Sequence, residues 1–177
     1  MASVLNWQWK RGEVEWVGWQ SDRVEPATLK QTKNTCWAAG MAVACGILVG
    51  GVFEDEAYWT GYASDNSGRF GSSGAITYAS FVDMAQTMQD DLQVPVTAAV
   101  FQTADMPMHK VSGLLRQGAV VLLHSANHIV VLSAMGFEPD GTIKYRVTDT
   151  TPGQYQTWTQ NDIDGYGVQF VSIVRRK

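Results

Sequence analysis

Gln31-Thr32-Lys33-Asn34-Thr35-Cys36-Trp37-Ala38-Ala39-Gly40 sets a cysteine at the seam between a polar loop and a long run of small apolar residues. Asn34 and Thr35 have the character of an N-cap, and Trp37 to Val49 that of a buried helix. A cysteine in the first turn of a helix feels the positive end of its dipole. That position is expected to lower the thiol pKa and favour the reactive thiolate.

Outward from this stretch, Asn127-His128-Ile129-Val130-Val131 offers a base and Tyr145-Arg146-Val147-Thr148-Asp149 a group to orient it. A thiol nucleophile needs both, the first to take its proton and the second to fix the imidazole. Gln31 is the expected oxyanion donor, because an amide stabilises developing negative charge without titrating. His124 is the main rival base, but no acid falls naturally opposite it. His109 is expected in an exposed loop.

Strand register makes the pairing of His128 with Asp149 specific. A hairpin through Glu138-Pro139-Asp140-Gly141 should pair Phe137 with Thr142. Counting back sets Asp149 opposite Val130, and His128 shares the face of Val130 because side chains alternate. His128 and Asp149 are then diagonal neighbours, while a one-residue slip would part them.

The other cysteine, Cys45, lies nine residues after Cys36. On one helix that separation is about 13.5 Å with the side chains on opposite faces. A disulfide needs Cα atoms within roughly 7 Å, so no internal bridge is expected. Cys45 is read as a small buried hydrophobe.

The remaining elements are helices first and strands last, an α+β order. Glu54 to Tyr62, Thr77 to Leu92 and Lys110 to Gln117 are expected helices, with Val94 to Phe101 a strand between the last two. The strands Ala119 to His124, His128 to Phe137, Ile143 to Asp149 and Gly167 to Val174 follow. The whole chain, 1–177, is expected to form one domain, with a helical part over about 21–118 and a sheet part over about 119–177. Residues 1–20 are expected to form a tryptophan-rich hairpin. Its Trp7, Trp9, Trp16 and Trp19 suggest either a cover for the core or an aromatic platform for sugar or peptide, with core burial the commoner fate.

A net charge of −4 argues against nucleic-acid binding, which needs a basic stripe. Three scattered histidines and two diverging cysteines give no metal-ligand spacing, and no Gly-rich phosphate loop is present, so no metal or cofactor is expected. Residues 1–20 hold no uninterrupted apolar core of a Sec signal peptide. The longest apolar run, Trp37 to Phe53, is at the short limit for a membrane span and is read as a core helix. The expected location is the cytoplasm, or outside the cell by a route that leaves no N-terminal signature.

Gln31, Cys36-Trp37-Ala38-Ala39, Asn127-His128-Ile129-Val130-Val131 and Val147-Thr148-Asp149 together resemble the papain-like cysteine peptidase superfamily. The similarity is to its compact bacterial branch, which includes bacteriocin-leader peptidases and plant-pathogen effector proteases. Here the Cys-to-His interval is 92 residues and the His-to-Asp interval 21. The resemblance implies a helical lobe with a central Cys-bearing helix packed on a C-terminal antiparallel sheet. It implies Cys36 as nucleophile, His128 as base, Asp149 as orienter and Gln31 in the oxyanion hole. A peptide or protein would be the substrate. A secreted effector or toxin role, with an inhibitor or immunity protein as partner, is implied by kinship with that branch.

Two other readings share these residues. Peptidoglycan amidases and endopeptidases, glutamine deamidases and transglutaminases use the same triad chemistry on other substrates. An inactive papain-like fold, or an aromatic-rich binding module using the tryptophans, would need no reactive thiol.

Overall fold

Thirteen residues from Cys36 to Leu48 form α1, and nearly every side chain after the first is buried. A helix that is apolar all round has to be enclosed, and this one lies at the centre of the larger core cluster. The computed structural model describes residues 14–19, 35–66 and 77–177.

Strand β1 (Glu15–Gly18) precedes α1, and a short 3-10 turn (Gly51–Glu54) leads from it into α2 (Glu56–Asp65). Helix α3 (Tyr78–Asp90) then runs into β2 (Val96–Gln102), and α4 (Met108–Arg116) into β3 (Val120–His124). Strands β4 (Ile129–Phe137), β5 (Ile143–Asp149) and β6 (Gln154–Trp158) follow. Helix α5 (Gln160–Tyr166) separates β6 from β7 (Phe170–Arg176). Asp55 and Thr77 start α2 and α3 by accepting backbone N–H bonds on their side chains. Thr159 and Asp162 form a capping box that starts α5.

The strands make one antiparallel sheet in the order β2-β7-β3-β4-β5-β6, with β1 pairing the far half of β4. Both faces of its centre are covered. Val120, Leu122, Ile129 and Val131 pack with α1, α2 and α3. Val121, Leu123, Val130 and Leu132 pack with α4 and α5 on the opposite side. This double burial explains why β3 and β4 are continuous apolar runs rather than alternating ones.

The α+β class and the central Cys-bearing helix packed on an antiparallel sheet are as expected. Two features go beyond the expectation. The sheet also draws β1 and β2 from earlier in the chain, and α4 and α5 lie on its far face. Strand β6 and helix α5 occupy a stretch with no predicted element.

Of the expected hairpin over residues 1–20, the first arm lies outside the described residues, together with Trp7 and Trp9. The second arm, β1, pairs with β4 from Glu15↔Phe137 to Gly18↔Ala134. Trp19 continues past it into the core, where its indole N–H donates to the Gly118 carbonyl at 2.9 Å. Trp16 lies over Gly136 so closely that a Cβ there would sit 3.1 Å from its ring and 2.7 Å from Val14 Cγ1. These two tryptophans therefore cover the sheet, as most aromatics do. Among the described residues no helix is long and apolar enough to cross a membrane.

Candidate active site

The first turn of α1 meets the start of β4. Gly40, one turn after Cys36 and on the same helix face, makes that approach close. A Cβ at Gly40 would stand 3.4 Å from Ile129 Cγ2 and 3.7 Å from Leu122 Cδ2, so the gap takes a methyl and no more. The Cys36 sulfur consequently lies beside the backbone N–H of Ile129, the residue after His128.

Thr35 occupies the N-cap position and its carbonyl accepts from Ala39 N–H at 3.0 Å, but its side chain makes no capping hydrogen bond. The expected capping role of the Thr35 side chain is thus not found, and Asn34 lies outside the described residues. The expected fall in the Cys36 pKa is not found either. Burial raises it, the N–H groups of Ile129, Trp37 and Cys36 itself pull it back in part, and the Glu56 carboxylate raises it further. Desolvation outweighs the helix terminus because the half-buried sulfur has given up water that would solvate a thiolate. Cys45, fully buried on the same helix, is a free thiol whose pKa burial also raises.

His128 sits in the turn before β4 rather than inside the strand. Ser125 closes that turn. Its backbone N–H and its hydroxyl both donate to the His128 carbonyl, at 2.9 and 3.1 Å, and its Oγ accepts from His128 N–H at 3.2 Å. The imidazole projects from this clasp to Asp149 at the end of β5. Nε2 and Asp149 Oδ1 are 2.8 Å apart, with both side chains about 20% exposed. The same Oδ1 accepts from Thr151 N–H at 2.9 Å, and Thr151 Oγ1 lies 3.3 Å from Nε2. With Nε2 engaged, Nδ1 is the ring nitrogen left for proton exchange.

The register behind this contact has a twist. Val130 pairs with Asp149 as expected, yet Phe137 pairs with Ile143 rather than Thr142. One extra residue in the hairpin loop is offset by a bulge between Leu132 and Ala134. Ser133, the bulged residue, gives its carbonyl to Trp19 N–H at 2.8 Å, which ties β1 to the irregularity.

His124, the rival base, points to the α3 side of the sheet. Its ring stacks on Phe170 at 4.0 Å and meets Phe81 edge-on at 4.8 Å, while Nε2 bonds Ser172 Oγ at 2.9 Å. Burial lowers its pKa to about 3, so it stays neutral and packed away. His109 is exposed, as expected, but in α4 rather than a loop. Gln31 lies outside the described residues.

Three residues near the site were not anticipated: Ser125, Thr151 and Tyr166. Ser125 acts through local hydrogen bonds that a Ser in a turn commonly makes, and Thr151 through its backbone N–H to Asp149 and its hydroxyl beside Nε2. Tyr166 comes from α5, an element with no apolar periodicity to announce it.

These elements arrange a cysteine helix end-on to a histidine turn, with the acid on the neighbouring strand. A solved structure shares the arrangement of elements: UfSP from C. elegans, with a TM-score of 0.54 at 13% identity. The likeness covers 99% of this chain and 36% of that one, so the chain spans about a third of its neighbour's length. The fold is papain-like. No protein-family model matches the chain, and no curated protein does. At this identity the likeness of the papain-like folds extends to architecture alone. Among the described residues, no group of three or more His, Cys, Asp or Glu could hold a metal ion.

Proposed function

We propose that this chain is a thiol hydrolase, and specifically a cysteine peptidase. The observation that carries this reading is the 2.8 Å contact of His128 Nε2 with Asp149 Oδ1, in a turn whose next residue places its N–H at the Cys36 sulfur. The papain-like fold shared with UfSP is consistent with the same class.

Asp149 holds the proton of His128 on Nε2 and so leaves the Nδ1 lone pair free. Burial raises the Cys36 pKa and so favours the thiol, and His128 is assigned the role of general base on it. The Cys36 proton passes to Nδ1 as sulfur attacks the scissile carbonyl, giving a tetrahedral intermediate. Gln31 is assigned the oxyanion. Collapse expels the amine, which takes the proton from His128, and leaves a thioester on Cys36. A water, deprotonated by His128, then releases the acid and restores the thiol.

The test is the pH dependence of Cys36 alkylation in a Cys45→Ser background. At neutral pH, His128→Ala should slow modification by at least about tenfold, since base assistance is worth roughly 10²-fold or more. An alkylation rate indifferent to His128 would sink the hydrolase reading and leave a binding module. Substrate class is then resolved by assaying unstructured peptides, cell-wall fragments and free glutamine side chains in parallel. Peptide cleavage with the other two inert is expected. A secreted effector role with an inhibitor or immunity partner is the setting implied by the compact bacterial branch, and it stands or falls with that peptidase activity.

A further inference from the structure

The Tyr166 hydroxyl takes part in none of the steps above, yet it is buried in the wall of this site. Tyr166 ends α5, with Gly167 turning left-handed immediately after it at φ 67°. Its ring lies against Trp158, centroids 5.1 Å apart and tilted by 56°. The hydroxyl oxygen is shut off from solvent and makes no well-aligned hydrogen bond. Ser125 is the side chain within reach of it, and Asp149 and Cys36 are near enough to act on it. Burial first, and then the Asp149 carboxylate, push its pKa up, while the Ser125 hydroxyl beside it pulls it back in part, so the Tyr166 oxygen keeps its proton.

Ser125 is the clasp of the turn that carries the base. A hydroxyl oxygen has two acceptor positions. His128 N–H occupies one of them, and the second is open to a donor from the α5 side. A buried donor with no aligned acceptor costs free energy, so closing this bond is favourable.

We propose that Tyr166 is a positioning residue that donates to Ser125 Oγ and locks the Ser125–His128 turn, holding the imidazole in line with Cys36. It acts through Ser125, because its buried oxygen presents nothing to a substrate. The inference rests on the thiol-hydrolase reading and names a part of that same site. Among the described residues, the Glu56 carboxylate and the Tyr166 hydroxyl are the titratable groups that act on Cys36.

Tyr166→Phe deletes the hydroxyl and keeps the ring on Trp158. In the Cys45→Ser background it should slow Cys36 alkylation at neutral pH by about five- to tenfold, the worth of one hydrogen bond. At a pH high enough to ionise the thiol outright, where no base is needed, the rate should equal that of the parent protein. Ser125→Ala should show the same profile, and the double variant should be no slower than Ser125→Ala alone. A parent-like rate for Tyr166→Phe at neutral pH would overturn the proposal. So would an equal loss at every pH, or additive losses in the double variant. His128→Ala, run alongside, separates the two readings. If His128→Ala is slow and Tyr166→Phe is not, only the positioning role fails; if His128→Ala is indifferent, both fail.

Discussion

Asp149 serves two partners through one oxygen. Oδ1 takes the His128 ring and the Thr151 backbone together, so the carboxylate is fixed by the main chain before it fixes the imidazole. Asp149→Ala removes the anchor and the charge at once. Its base-assisted rate should fall on the order of 10²- to 10⁴-fold in a peptide assay. Asp149→Asn keeps an oxygen that can accept from both partners and should retain more activity than the alanine variant. Equal losses in the two variants would mean that charge alone matters and orientation does not.

At the scale of elements, β4 is where the site is set, and its irregularity decides which residues meet. The bulge at Ser133 restores a register that the longer hairpin loop would otherwise have moved by one residue. Close contact between β1 and Gly136 supports the strand just beyond it. Gly136→Ala forces a Cβ to within 2.7 Å of Val14 Cγ1 and against the Trp16 ring, so it should destabilise the fold by about 1–3 kcal/mol. The check is the midpoint of urea unfolding with an unchanged slope.

The legible parts of this architecture are those with a strong physical signal. The Ala-rich apolar run gave α1, and Ile143 to Asp149 gave β5 with its observed ends. Counting along the hairpin sets Asp149 opposite Val130, but neither the extra loop residue nor the bulge is visible to it. Ser133 stands inside an apolar strand and nothing about it announces an insertion. The sequence around β6, Gln154 to Trp158, is largely polar and leaves its strand partly open to water. Helix α5 buries only Ile163 fully, so its periodicity is faint. Tyr166 was therefore invisible until the chain was folded. The raised Cys36 pKa is hidden from the sequence for a related reason: burial is a property of the packed molecule, and no local pattern reports it.

For the whole molecule, the buried His124 sets a limit in acid. An unfolded imidazole takes its proton near pH 6.5. Folded, His124 refuses it down to about pH 3 because burial penalises the charge. Its contribution is fully present above pH 6.5. Below that the unfolded chain binds a proton that the folded chain does not, and stability falls progressively toward pH 3, by an amount on the order of a few kcal/mol. His124→Phe with Ser172→Ala removes the titrating group and its hydroxyl partner together, leaving neither unpaired. That double variant should lose less stability than the parent between pH 6.5 and pH 3, measured by urea midpoints. Parallel acid limbs in the two proteins would show that His124 is not the group responsible.

Strand β7 follows every other element in the chain but stands between β2 and β3 in the sheet. Among the described residues, nothing else in the strand order joins β2 to the rest. During synthesis the Cys36 helix emerges early, and His128 and Asp149 also precede residues 170–176. The sheet is still split until that last strand slides into the gap. Pairings such as Val120↔Val174 and Val96↔Arg176 span long stretches of chain, which makes their closure slow. A growing chain thus carries Cys36, His128 and Asp149 on an unfinished scaffold until the wedge that closes the sheet arrives.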